Sequence, residues 1–100
     1  MSLVMKKLSD PDLNGAYLAR RMGMSRMHLH RYLKRYYGKS ATTVIQEMRI
    51  RRGEELLLGS GLSVRRIALL VGFRDPDYFS RIFKAYRGMT PREFRRREDE

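Results

Sequence analysis

The sequence predicts an all-α chain: two small helical subdomains of one plan joined by a long linker helix, six to seven helices in total. Three observations predict it. Apolar residues recur at i, i+3, i+4 and i+7, and no stretch alternates with the period of two that a half-buried strand requires. The second part of the chain repeats the first. Cap residues and glycines fall at matching places in both copies, so the copies share element boundaries.

The repeat emerges when Leu13–Val44 is set beside Leu62–Phe94. Forty-nine residues on, Leu13 meets Leu62, Asn14 meets Ser63, Ala19 meets Ala68 and Gly23 meets Gly72. One extra residue enters the second copy just after its glycine. Fifty residues on, Leu29 then meets Phe79, Arg31 meets Arg81, Leu33 meets Phe83, Lys34 meets Lys84, Gly38 meets Gly88 and Ser40 meets Thr90.

Each element follows in order. A short stretch over Leu3 to Leu8 supplies the optional seventh helix. Asn14 and Ser63 are N-cap types, opening helices over about Gly15 to Met22 and Val64 to Val71. Gly23 and Gly72 end them, and Ala19 and Ala68 are small enough for a second helix to cross closely. Ser25 and Asp75 cap the second helices, with Pro76 at a first-turn position; these end near Tyr37 and Arg87, before Gly38 and Gly88. A short helix, a glycine-bearing turn and a second helix make a helix-turn-helix unit. Ser40 starts the linker helix, Ala41 to Leu58, with Val44, Ile45, Met48, Leu56 and Leu57 as apolar contacts. Gly53 inside it costs roughly 1 kcal/mol against Ala, so either a neighbouring helix approaches closely there or the joint is soft. "GSG" (Gly59 to Gly61) closes it. Thr90, Pro91 and Glu93 read as a capping box for a last helix to about Arg97, with "REDE" as a frayed, solvated tail. The expected division is residues 1–39, 40–61 and 62–100.

Charge narrows the function. Lys and Arg total 22 against 11 Asp and Glu, a net charge of +11, which favours a polyanionic partner. Arg outnumbers Lys 17 to 5, and guanidinium forks suit phosphates and guanine edges. No run of 18 apolar residues suggests a membrane span, and "MSLVMKKLSD" lacks the apolar core of a signal peptide. Cysteine is absent, which fits a reducing, cytoplasmic setting.

The second helix of each unit has two faces. Leu29, Leu33 and Tyr36 in the first, and Phe79, Phe83 and Tyr86 in the second, share the spacing of a core stripe. Met27, His30, Arg31 and Lys34, and likewise Asp77, Ser80, Arg81 and Lys84, share an outer face. A recognition helix offers such a face to base edges in the major groove. Arg31 and Arg81 can fork onto guanine O6 and N7, and Met27 can pack on a thymine methyl. His30 can donate to a base or phosphate, and Asp77 can accept from cytosine N4. The expected base-contacting set is therefore Met27, His30, Arg31, Asp77, Ser80 and Arg81. Phosphate contacts are expected from Arg26, Lys34, Arg35, Lys39, Arg74 and Lys84, and at the helix starts Ser40 and Thr90.

The motifs also carry a family resemblance. "GLSVRRIALLVGFRDPDYFSRIFKAYRGMTPREFRR" closely resembles the second helix-turn-helix of AraC/XylS-type transcription regulators. "LARRMGMSRMHLHRYLKRYYGKS" resembles their first unit, and "RIRRGEELL" their linker helix, with Gly53 where a small Ala is usual. The resemblance covers about Leu13 to Arg96 and implies a bi-lobed bacterial DNA-binding domain that activates or represses transcription, with double-stranded DNA and RNA polymerase as partners. It also implies a longer first helix before "LSDPDLN", so a sensing or dimerisation domain is expected outside this chain. "GMSRMHLHRYLK" is most similar to the hybrid two-component versions.

Other functions fit less well. His28 and His30 stand at i, i+2, which does not place them on one helix face, so no metal site is expected. No nucleophile–base–acid set stands out, so neither an enzyme nor a cofactor is expected. A basic RNA-binding or anionic-surface module is the alternative, but RNA readers need exposed aromatics, and most Tyr and Phe here fall at core spacing. The linker helix from Ala41 to Leu58 would span about 27 Å at 1.5 Å per residue. It is expected to hold helices 25–37 and 75–87 about one DNA turn apart, roughly 34 Å, in successive major grooves.

Overall fold

The computed structural model describes residues 9–99, and these form six helices and no strand. They are α1 (Gly15–Arg21), α2 (Arg26–Tyr37), α3 (Ala41–Gly59), α4 (Val64–Leu70), α5 (Pro76–Arg87) and α6 (Pro91–Asp99). The helix expected over Leu3 to Leu8 lies outside the described residues. Met22 and Val71 are the C-cap residues of α1 and α4 rather than their last turns, α3 takes in Gly59, and α6 continues past Arg97 into the expected tail. The chain divides into two compact units, Met1–Met48 and Arg49–Glu100, and the division falls within α3.

The first unit is closed at each helix end by local chemistry. Asn14 Oδ1 accepts the Tyr17 N–H at 2.9 Å, and Ser25 Oγ accepts the His28 N–H at 3.0 Å. Between them Gly23 takes φ +70°, so that Met24 N–H reaches back to Ala19 C=O (2.8 Å) and Gly23 N–H to Arg20 C=O (3.2 Å). These paired bonds satisfy carbonyls that the end of α1 leaves free. Ser40 Oγ accepts the Thr43 N–H at 3.2 Å and starts α3. Leu18, Ala19, Leu29, Leu33, Val44 and Ile45 are buried together, joined by Leu13.

The second unit repeats this plan with heavier side chains. Ser63 Oγ accepts the Arg66 N–H (3.1 Å) and Asp75 Oδ1 the Asp77 N–H (2.9 Å). Gly72, at φ +104°, forms the same pair of bonds, Phe73 N–H to Ala68 C=O and Gly72 N–H to Leu69 C=O. Thr90 Oγ1 accepts the Glu93 N–H, while its hydroxyl donates to Glu93 Oε1 at 2.9 Å. Phe79 and Phe83 are fully buried, their ring centroids 5.8 Å apart, and Phe73 and Phe94 flank them at 5.2 and 5.4 Å. Ile50, Leu57, Ile67, Ala68 and Val71 complete the core. Arg95 ties α6 to the end of α3, donating to Leu57 C=O at 3.0 Å and Ser60 C=O at 3.3 Å. Arg87 pairs with Glu54.

One core expectation fails. Tyr36 is 64% exposed, whereas its equivalent Tyr86 packs against the second core. The second unit sets Phe94 beside Phe83; the first has the smaller Val44 at the equivalent position. With less apolar wall to cover it, the Tyr36 ring lies against Tyr32 (4.8 Å), with the Arg35 guanidinium 5.7 Å from its centroid.

Gly53 marks a close approach. A Cβ there would lie 3.1 Å from Phe79 Cζ and 3.2 Å from Cε1. Gly53→Ala gains about 1 kcal/mol of helix propensity, but forcing a fully buried ring to shift costs about 1–3 kcal/mol. Phe73 and Phe83 hem that ring in, so the variant is expected to melt at a lower temperature than the parent. A thermal melt followed by circular dichroism checks this, and a raised midpoint would mean the ring yields freely.

Candidate nucleic-acid interface

The local caps decide where α2 and α5 begin, and the buried Leu29–Leu33 and Phe79–Phe83 stripes decide which way they face. Met27 (65% exposed), His30, Arg31 and Lys34 are exposed together on α2; Asp77, Arg81 and Lys84 are exposed on α5, where Ser80 is half-buried. Each arginine is met by a side chain from the preceding turn. Arg31 Nη2 donates weakly to Met27 Sδ at 3.6 Å, and the Arg81 guanidinium stands 5.7 Å from the centroid of Tyr78.

Beside each outer face lies an open groove at which three helix starts meet. In the first unit it measures 710 Å³ and is walled by Asn14, Gly15 and Ala16 of the α1 start, Arg26, Met27 and His30 of α2, and Ser40, Ala41 and Thr42 of the α3 start. In the second it measures 450 Å³, between Val64 and Arg65 of α4, Asp77 and Ser80 of α5, and Thr90, Pro91 and Arg92 of α6. The two grooves are walled by equivalent positions of the repeat. The positive ends of helix dipoles point at each, which favours an anion; in the second groove Pro76 and Pro91 bring no N–H and the Asp77 carboxylate opposes that pull, so the first groove is the stronger of the two.

Several first turns carry arginine at a helix end where the dipole favours an acidic residue: Arg26 in α2 and Arg65 and Arg66 in α4, with no acid in either turn, and Arg92 in α6, where Glu93 follows it. All four are exposed. Like charge at a positive helix end is unfavourable in the free protein and is relieved by a polyanion. Arg65 and Arg92 were not among the residues expected from sequence. Their signal is legible there: a basic residue two positions after a cap, where Asp or Glu is usual.

The remaining expected residues divide. Arg26, Lys34, Arg74 and Lys84 are exposed. Arg35 lies over Tyr36, and Lys39 Nζ is held by Glu47 at 2.7 Å. The hydroxyls of Ser40 and Thr90 are engaged within their own caps, leaving backbone N–H groups as what those sites offer. Among the described residues no three His, Cys, Asp or Glu side chains gather as a metal site. No helix there is long and apolar enough to cross a membrane.

Residues 18–97 match a family model described as a helix-turn-helix domain. The transcriptional regulator GlxA of Rhizobium meliloti is 34% identical over 93 residues, covering 93% of this chain and 29% of GlxA. The chain thus spans under a third of that relative's length. The C-terminal domain of AraT, a response regulator from Geobacillus stearothermophilus, superposes with a TM-score of 0.88 at 32% identity, covering 95% of this chain and 78% of that one. The DNA-binding domain of the global transcriptional factor AdpA, solved with a target DNA, superposes with a TM-score of 0.88 at 26% identity, covering 94% and 84%. The family match runs from the last turns of α1 into α6 and so takes in both glycine turns: the chain belongs to the AraC/XylS-type helix-turn-helix domains.

Proposed function

We propose that this domain binds duplex DNA sequence-specifically as the output module of a bacterial, cytoplasmic transcription regulator. The observation that carries the reading is the pair of equivalent grooves at helix starts, each beside an exposed helix face bearing an arginine at one repeat position. The solved complex of AdpA with its target DNA supports the choice of ligand.

In this reading α2 and α5 enter successive major grooves, so that one chain reads a direct, non-palindromic site. Arg31 forks onto guanine, Met27 covers a thymine methyl, and His30 donates to a base or phosphate. Arg81 reads guanine in the second half-site, Asp77 accepts from cytosine N4, and Ser80 adds a short polar contact. Backbone phosphates sit at the helix starts around Ser40 and Thr90, neutralised by Arg26, Arg65 and Arg92. Arg74, Lys34, Lys84, Arg35 and Lys39 flank them, the last two after leaving their present partners. A sensing or dimerisation domain outside this chain supplies the signal, and RNA polymerase is the second partner. The likeness to AraT supports a response-regulator setting. No enzyme activity is proposed.

Binding is expected to weaken steeply with salt, with a log–log slope near −0.9 for each phosphate neutralised. Gel shifts across a salt series, with duplex DNA, single-stranded DNA and RNA of one sequence, test the proposal. Affinity indifferent to salt sinks it. Equal preference for single strands favours the RNA-binding alternative, for which exposed Tyr36 and Tyr37 are the supporting observation.

A further inference from the structure

Arg81 has two competing neighbours on its own helix. Asp77 lies one turn before it at i−4, the spacing and order at which a carboxylate and a guanidinium pair along a helix. Tyr78 lies at i−3. The guanidinium takes the ring, 5.7 Å from its centroid, and Asp77 forms no ion pair with it. Tyr78 is 42% exposed, and on the protein side its ring lies against the buried Phe73, with centroids 6.0 Å apart. A cation over an aromatic face is worth at least as much as an exposed intrahelical ion pair, so the ring can win this competition. The first unit has no such arrangement and no need of one. Position 27, equivalent to Asp77, is methionine there, and position 28, equivalent to Tyr78, is histidine.

We infer that Tyr78 is a positioning residue that holds Arg81 off Asp77, leaving both side chains free to read separate base edges. This rests on the reading of α5 as a DNA-reading helix. Without the ring, Arg81 swings onto Asp77. The resulting pair presents a neutral, mutually satisfied surface, and guanine and cytosine readout are weakened together. Tyr78 therefore governs specificity at the second half-site without touching a base.

The test compares Tyr78→Leu, which keeps apolar bulk against Phe73 but has no ring face, with Tyr78→Phe, which keeps the face and loses only the hydroxyl. Arg81→Ala and Asp77→Ala first assign the base pairs that each residue reads, on a panel of single-base duplex variants. Tyr78→Leu is expected to lower preference at both sets of base pairs by about two- to fivefold, the fold-change of one exposed cation–π contact. Affinity for unrelated duplex should stay unchanged. Tyr78→Phe should behave as the parent, and Asp77→Ala combined with Tyr78→Leu should recover the Arg81 preference, because the competing carboxylate is gone. A uniform loss on all duplexes with a lowered melting temperature would overturn the inference and make Tyr78 purely structural. So would a double variant no better than Tyr78→Leu, or a Tyr78→Phe that loses preference. If Arg81→Ala alters preference at no base pair, the underlying reading of α5 fails and the inference goes with it.

Discussion

Phe79→Ala is expected to destabilise the second unit by about 3–5 kcal/mol, the usual cost of emptying a buried phenylalanine site. Phe79 is fully buried, touches the ring neighbourhoods of Phe73 and Phe83, and fills the notch over Gly53. Collapse into the cavity is poor, because Gly53 has no side chain to move into the space. Small domains are stable by about 5–15 kcal/mol in total, so the loss removes roughly a fifth or more of what holds this unit folded. The first core shares none of its buried residues with the second. Methyl signals of Ile50 and Ile67 are therefore expected to lose dispersion at a lower denaturant concentration than those of Val44 and Ile45. Simultaneous loss of all four would show that the two cores unfold as one.

Arg31→Ala is expected to weaken specific DNA binding by about 1–3 kcal/mol, roughly 5- to 150-fold in Kd, and to relax base preference at one position. Arg31 is exposed, has only a weak thioether contact to give up, and has no acidic residue one turn away. Arg81→Ala is expected to cost less, because the neighbouring Asp77 carboxylate repels phosphates unless a cytosine satisfies it. The preference it alters should lie about ten base pairs away, one turn of the duplex. Both variants are measured against single-base operator variants. If both change the same base pairs, or neither changes any, the two-groove reading is wrong.

Local chemistry was legible in the sequence. Asn14, Ser25, Ser40, Ser63, Asp75 and Thr90 each cap the helix that follows, because a cap depends only on residues within one turn. At Gly53 the sequence leaves a close approach and a soft joint equally open; the approach of Phe79 decides for the first, and spacing along a chain does not say which ring lies opposite. Tyr36 differs for the same reason: its spacing is that of a core residue, while its burial depends on what the rest of the unit sets against it. Ile50 was passed over as an apolar position of α3, although it is fully buried, because basic residues surround it in sequence. The contact of Tyr78 with Arg81 is invisible in the sequence, because an outward-facing arginine can lean on any neighbour one turn away.

The glycine turns of the two units have different lengths, and the place of the difference matters. The extra residue, Arg74, falls after the backbone bonds around Gly72 have closed and before Asp75 begins the next cap. An insertion there shifts the register of neither helix and disturbs neither end. The two units can therefore aim their second helices differently while keeping the same caps and the same glycine turn.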